Sequence, residues 1–163
     1  GETLKTETSV RSILMLSPHY GFLSLALLDK QDPLVYASRY QVTWFGLWMM
    51  AFDQNPDRHT PNTRAYQRYF LQAMGEDMRQ HQPQIVFLDR NKGMALLETL
   101  TKNHDFRTEW ERFVPLPVNL GPFGDIFQVF IRKDFPQPTT VHDAIERAVQ
   151  ATEPTPTPPT TPE

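Results

Sequence analysis

The sequence predicts an α/β fold: a Rossmann-like three-layer sandwich with a parallel sheet core and an antiparallel hairpin at the edge. Three observations predict it. First, "SILMLS" (12–17), "PLVYAS" (33–38) and "QIVFLDR" (84–90) are short apolar runs bounded by turn residues, the pattern of strands buried on both faces. Second, helix-length segments lie between them, so each strand can return parallel to the last through a helical crossover. Third, "FVPLPVN" (113–119) and "DIFQVFIRK" (125–133) are separated only by "LGPFG". That gap is too short for a crossover and predicts an antiparallel pair.

In chain order, "GETLKTETSVR" (1–11) is a polar tether, residues 12–150 form one α/β domain, and 151–163 are a Pro/Thr-rich tail. The tail is too polar to build a core and reads as extended and mobile. After the first strand, "GFLSLALLDK" (21–30) is long enough for a short helix. "YQVTWFGLWMMAF" (40–52) reads as a helix apolar nearly all round, with Phe45, Trp48, Met49 and Phe52 on one face. It is either buried on both sides or presents an apolar patch through Trp44 and Trp48. In "NTRAYQRYFLQAMGEDMRQHQ" (62–82), Tyr66, Tyr69, Phe70, Ala73, Met74 and Met78 follow helical spacing and predict the core face. Glu76 and Asp77 read as its solvated side, His81 as a partner of its C-terminal dipole, and Pro83 as its end. Residues 94–102 read as a helix and 105–113 as a short helix or turn. A last amphipathic helix spans 140–150, capped by Thr139 or Thr140.

At 163 residues with 39% hydrophobic content the chain can bury a core of ordinary size. A net charge of −3, with no Lys/Arg run, argues against nucleic acid as a partner. There is no cysteine, which excludes disulfides, thiolate metal sites and cysteine nucleophiles. The five histidines show no metal-ligand spacing, and no metal or cofactor is expected. The chain opens on Gly1, which reads as a piece of a longer polypeptide left by cleavage. No apolar run reaches the roughly 20 residues of a membrane helix.

Ligands in open α/β sheets gather beyond the carboxyl ends of the parallel strands. The three exits here are Ser17-Pro18-His19-Tyr20-Gly21, Ser38-Arg39-Tyr40 and Asp89-Arg90-Asn91-Lys92-Gly93. All are polar. Ser17, His19, Tyr20, Ser38, Arg39, Asp89, Arg90, Asn91 and Lys92 are therefore the candidate ligand residues, with Arg39, Arg90 and Lys92 as donors to an anionic or sugar-like group. The plainer reading is that strand ends are polar because turns and helix caps require it, and that an Asp89–Arg39 ion pair ties two loops together. The exit "SPHYG" lacks both the glycine-rich dinucleotide fingerprint and the phosphate-cradling loop. Ser17 or Ser38 with His19 and Asp89 could be drawn as a hydrolase triad, but the GxSxG elbow is absent. No catalytic residue is assigned.

The order "ILMLSPHYGFLSLALL", "YASRYQVTWFGLW", "RYFLQAMGEDMRQHQPQIVFLDR" resembles the soluble C-terminal domain of certain bacterial polytopic membrane proteins. Those are similar to the GT-C type, mannosyltransferase-like, polyprenyl-phosphate-dependent glycosyltransferases. The matching positions are Ser17, Ala37-Ser38-Arg39, Leu47-Trp48, Arg68-Tyr69-Phe70, Asp77-Met78 and Pro83 to Arg90, within residues 12–133. Asn91-Lys92-Gly93 and the tail fall outside the pattern.

The resemblance implies a domain on the extracytoplasmic (periplasmic) face of a membrane, non-catalytic in isolation. It would assist acceptor or lipid-head-group recognition, or stability. The catalytic acid would then lie between membrane helices outside this chain. The implied partners are the membrane-spanning portion of the same polypeptide and a lipid-linked sugar or its acceptor. Two alternatives stay open. One is a stand-alone Rossmann-like domain, possible in the cytoplasm, that binds a small anionic ligand. The other is an interaction module docking through the Trp-rich segment 44–52.

Overall fold

The computed structural model describes residues 10–17, 35–38, 51, 55, 57 and 59–150. The helix read over 21–30, nearly all of that over 40–52, and the tail lie outside the described residues, as do His19, Tyr20, Arg39, Trp44 and Trp48.

The described chain is an α/β protein built on a mixed sheet. The strands are β1 (Ser12–Leu16), β2 (Val35–Tyr36), β3 (Ile85–Asp89), β4 (Phe113–Leu116) and β5 (Phe127–Arg132). The helices are α1 (Pro61–His81), α2 (Gly93–Leu100), α3 (His104–Trp110) and α4 (Pro138–Gln150). The sheet order is β2-β1-β3-β5-β4. β1 runs parallel to β2 and β3, with Ile13 opposite Ile85 and Leu16 opposite Leu88. β5 is antiparallel to both β3 and β4, so the hairpin adds to the parallel part through its second strand. β4 ends at Leu116, short of the 119 read from the sequence; Pro115 and Pro117 lack the N–H a longer ladder needs, and an edge strand tolerates them.

Strand side chains alternate between two apolar layers. Ile13, Met15, Ile85, Val129 and Ile131 pack with Val141, Ala144 and Ile145 of α4. Leu14, Leu16, Val86 and Leu88 pack with Phe70, Met74 and Met78 of α1, Leu96 and Leu100 of α2, and Phe106 of α3. Helices thus cover both faces of β1 and β3, which is why those strands show no polar alternation. Val10, within the segment read as a tether, is fully buried in the α4-side layer. Trp110 closes the other layer, stacked on Phe113 at 5.6 Å and tilted on Phe130 at 4.8 Å.

Helix α1 sets the geometry of one end of the molecule. Thr60 and Thr63 form a reciprocal capping box at its start. Its last residue lies at the amino end of β1, where Ser12 Oγ donates to His81 O at 3.0 Å. Gln82 caps it in the left-handed region (φ 41°), and Pro83 follows, as read. Its 21 residues span about 31 Å against roughly 17 Å for a five-residue strand. The excess projects past the carboxyl edge of the sheet.

Two assignments on α1 are corrected by this placement. Tyr66 and Tyr69, read as core, are 60% and 57% exposed: no described strand lies beneath Tyr66, Tyr69 stands on the flank shared with Glu76, and burial begins at Phe70. Asp77, read as solvated, is only 1% exposed, because it shares the inward face of Phe70, Ala73 and Met74 while Glu76 turns partly outward. At α4 the helix begins at Pro138, whose fixed φ suits the first helical position. Thr139 and Thr140 therefore lie inside the first turn and are not its cap.

Candidate functional site

Because β1, β2 and β3 are parallel, their exits reach one edge of the sheet. Two of them are bonded to each other. Ser17 Oγ donates to Asp89 Oδ2 at 3.0 Å, and both side chains are buried. The other carboxylate oxygen, Asp89 Oδ1, accepts from the backbone N–H of Asn91 (2.8 Å) and Lys92 (3.2 Å). A buried carboxylate needs such donors, and here three neutral ones surround it. They fold the turn that starts α2.

That turn brings the backbone of α2 against β1. A Cβ on Gly93 would sit 2.7 Å from the Leu16 carbonyl oxygen and 2.9 Å from Leu88 Cδ1. Only glycine allows the approach. The third exit meets α1: Ser38 Oγ lies 3.5 Å from Met74 Sδ.

Arg90 is turned toward the hairpin. Its Nε donates to the carbonyls of Gly124 (2.8 Å) and Phe127 (3.2 Å), and its own N–H donates to Ile126 O (2.8 Å). Asn91 and Lys92 remain exposed at the edge. The structure thus joins Ser17 to Asp89, seats Ser38 against α1, ties Arg90 to the β4–β5 loop and leaves Asn91 and Lys92 open. His19, Tyr20 and Arg39, and with Arg39 the suggested pair to Asp89, lie outside the described residues. Among the described residues, no group of three His, Asp or Glu side chains could hold a metal ion, and no helix is long and apolar enough to cross a membrane.

A feature the sequence reading passed over lies at the start of α1. A cleft of about 720 Å³ is lined there by His59, Pro61, Arg64, Gln67 and Arg68. Its signal in the sequence is "TPNTRAYQR", which places two arginines four apart, with no acidic residue in the first turn. Since Met74 sits beside Ser38 and His81 beside Ser12, this end of α1 lies at the carboxyl edge of the sheet.

Comparison with protein-family models, with curated proteins and with solved structures finds no match to the chain.

Proposed function

We propose that the chain is a recognition domain without transfer chemistry of its own, the extracytoplasmic soluble part of a membrane glycosyltransferase-like protein. It would assist recognition of the acceptor or of the lipid head group. The finer fold reading belongs to the same proposal: a Rossmann-like three-layer sandwich, supported by the parallel β2-β1-β3 core and by helices packed on both faces.

The observation that carries a recognition role is the state of Asp89. It is the buried carboxylate at the place where an α/β enzyme would position an acid or base. Here its oxygens face Ser17 Oγ and two backbone N–H groups that build the α2 turn. Such an arrangement supports a structural role for this carboxylate, holding the edge rigid. The membrane attachment rests on the resemblance carried by Ser17, Ala37-Ser38-Arg39 and Pro83 to Arg90.

The coding sequence upstream of Gly1 tests the proposal. Several apolar spans in the full-length product are expected, with sugar transfer from a polyprenyl-phosphate donor by the full-length protein and none by residues 1–163. A full-length product without spans, or transfer by the isolated domain, would overturn it. A stand-alone domain for a small anionic ligand is the second reading, favoured by the arginine-lined cleft at the head of α1.

A further inference from the structure

We infer that the overhanging end of α1 is a phosphate-binding site in which Arg64 and Arg68 together grip one phosphoryl group. The inference does not require the membrane attachment proposed above. It rests on the cleft and on the electrostatics of the residues that line it.

Arg64 and Arg68 are one helical turn apart and border the same cleft. Among the described residues, neither guanidinium has a hydrogen bond or ion pair, in contrast with Arg79, Arg112 and Arg132. Like charges at this spacing repel. The positive end of the helix dipole adds to the repulsion, and no acidic side chain occupies the first turn to offset it. None of the described residues lining the cleft is a carboxylate. Among the described residues, positive charge is therefore concentrated at this point with no carboxylate to offset it. An anion in the cleft would do so.

The donors present select the class of anion. The capping box already engages the Thr63 N–H with Thr60 Oγ1, and the Thr60 N–H with Thr63 Oγ1. The grip would come from the two guanidinium forks more than from free backbone N–H groups. A carboxylate offers two coplanar oxygens, which one arginine fork engages as a bidentate pair, leaving a second fork only the outer lone pairs. A phosphoryl group presents three terminal oxygens and up to two charges, so both forks can engage it at once. The cleft is also much larger than a bare anion and falls in the range of small-molecule sites. The ligand class is an organic phosphate whose remaining part fills the space beside Pro61 and Gln67. Its position at the carboxyl edge of a parallel sheet is where α/β proteins receive such groups. A free phosphorylated metabolite and a phosphorylated lipid head group share this chemistry.

Calorimetry with inorganic pyrophosphate and a hexose 1-phosphate, and co-sedimentation with phosphatidylcholine vesicles with and without phosphatidic acid, test the inference. The wild-type chain is expected to bind at least one phosphate probe. Each of Arg64→Gln and Arg68→Gln should weaken it about tenfold, the loss for one charge-assisted grip. Because two repelling charges are removed, the double variant should melt no lower than wild type. Arg107→Gln, an exposed change on α3, should leave binding unchanged. Binding of the soluble probes alone would identify a free phosphate as the ligand; binding only to phosphatidic acid vesicles would identify a head group. Absence of binding at millimolar probe, equal binding by the double variant, or an equal loss in Arg107→Gln would each overturn the site.

Discussion

Arginines that close strands and arginines on the overhanging end of α1 stand in opposite situations. At the amino edge, Arg132 ends β5 and clasps Asp134 through two hydrogen bonds of 2.9 and 2.7 Å. The pair is mutual: the hydrogen bond from Arg132 holds the Asp134 carboxyl below the usual carboxylate range, and the bond to Asp134 raises the guanidinium. Nearby, Lys133 Nζ donates to Glu111 O. At the carboxyl edge, Arg90 is equally committed, to the carbonyls of Gly124 and Phe127. Among the described residues, Arg64 and Arg68 on the overhang have no such partner. Arginines that close strands and loops are recruited by the fold itself. Those on an overhanging helix end are left by the fold, and their charge has a use only if something else supplies the partner.

The comparison can be broken at both edges. The largest effect is expected from Gly93→Ala, which drives a methyl into the Leu16 carbonyl and Leu88; a loss of about 3 kcal/mol in denaturant unfolding is expected. A loss below about 1 kcal/mol would show that the α2 turn can retreat from β1 and that the carboxyl edge is not rigid. Asp89→Ala should cost about 2–3 kcal/mol by orphaning two backbone N–H groups and Ser17. Asp89→Asn keeps an acceptor for both N–H groups and should cost less than half as much. Equal losses would mean that the charge, rather than the hydrogen-bond pattern, matters at this position.

The smallest effect is at the amino edge. Asp134 is ionised more readily in the folded chain than in the unfolded one, so its contribution is present at neutral pH. It is lost as pH falls below about 4, through the lowered folded value. Asp134→Asn should therefore lower stability at pH 7 by less than about 1 kcal/mol, as for other exposed pairs, with the difference vanishing in acid. A difference that persists in acid would assign the effect to something other than the pair.

Much of the architecture was legible in the chain. "SILMLS" and "QIVFLDR" are strands without polar alternation because helices cover both faces, and the spacing of 113–133 identified the antiparallel pair. The meeting of exits was half legible: parallel strands imply a shared edge, but nothing in "LS" and "LDR" says that Ser17 would donate to Asp89. That bond depends on β1 and β3 being neighbours, and strand order is not written in periodicity. The cleft was missed for a related reason. "TRAYQRYF" has the same helical spacing whether or not a sheet lies beneath it.

Local pattern alone determined the types of the described elements, the parallel-then-antiparallel sequence of strands and the polar character of the strand ends. Burial period and turn chemistry act over a few residues, so a single chain records them. Tertiary structure decided which charges are satisfied. Asp77 is buried because it shares the inward face of α1, and Tyr66 is exposed because α1 is longer than the described strands it covers. Arg132 finds a carboxylate while Arg64 and Arg68 find none among the described residues, because one lies where elements meet and the others lie where a helix runs past the described strands.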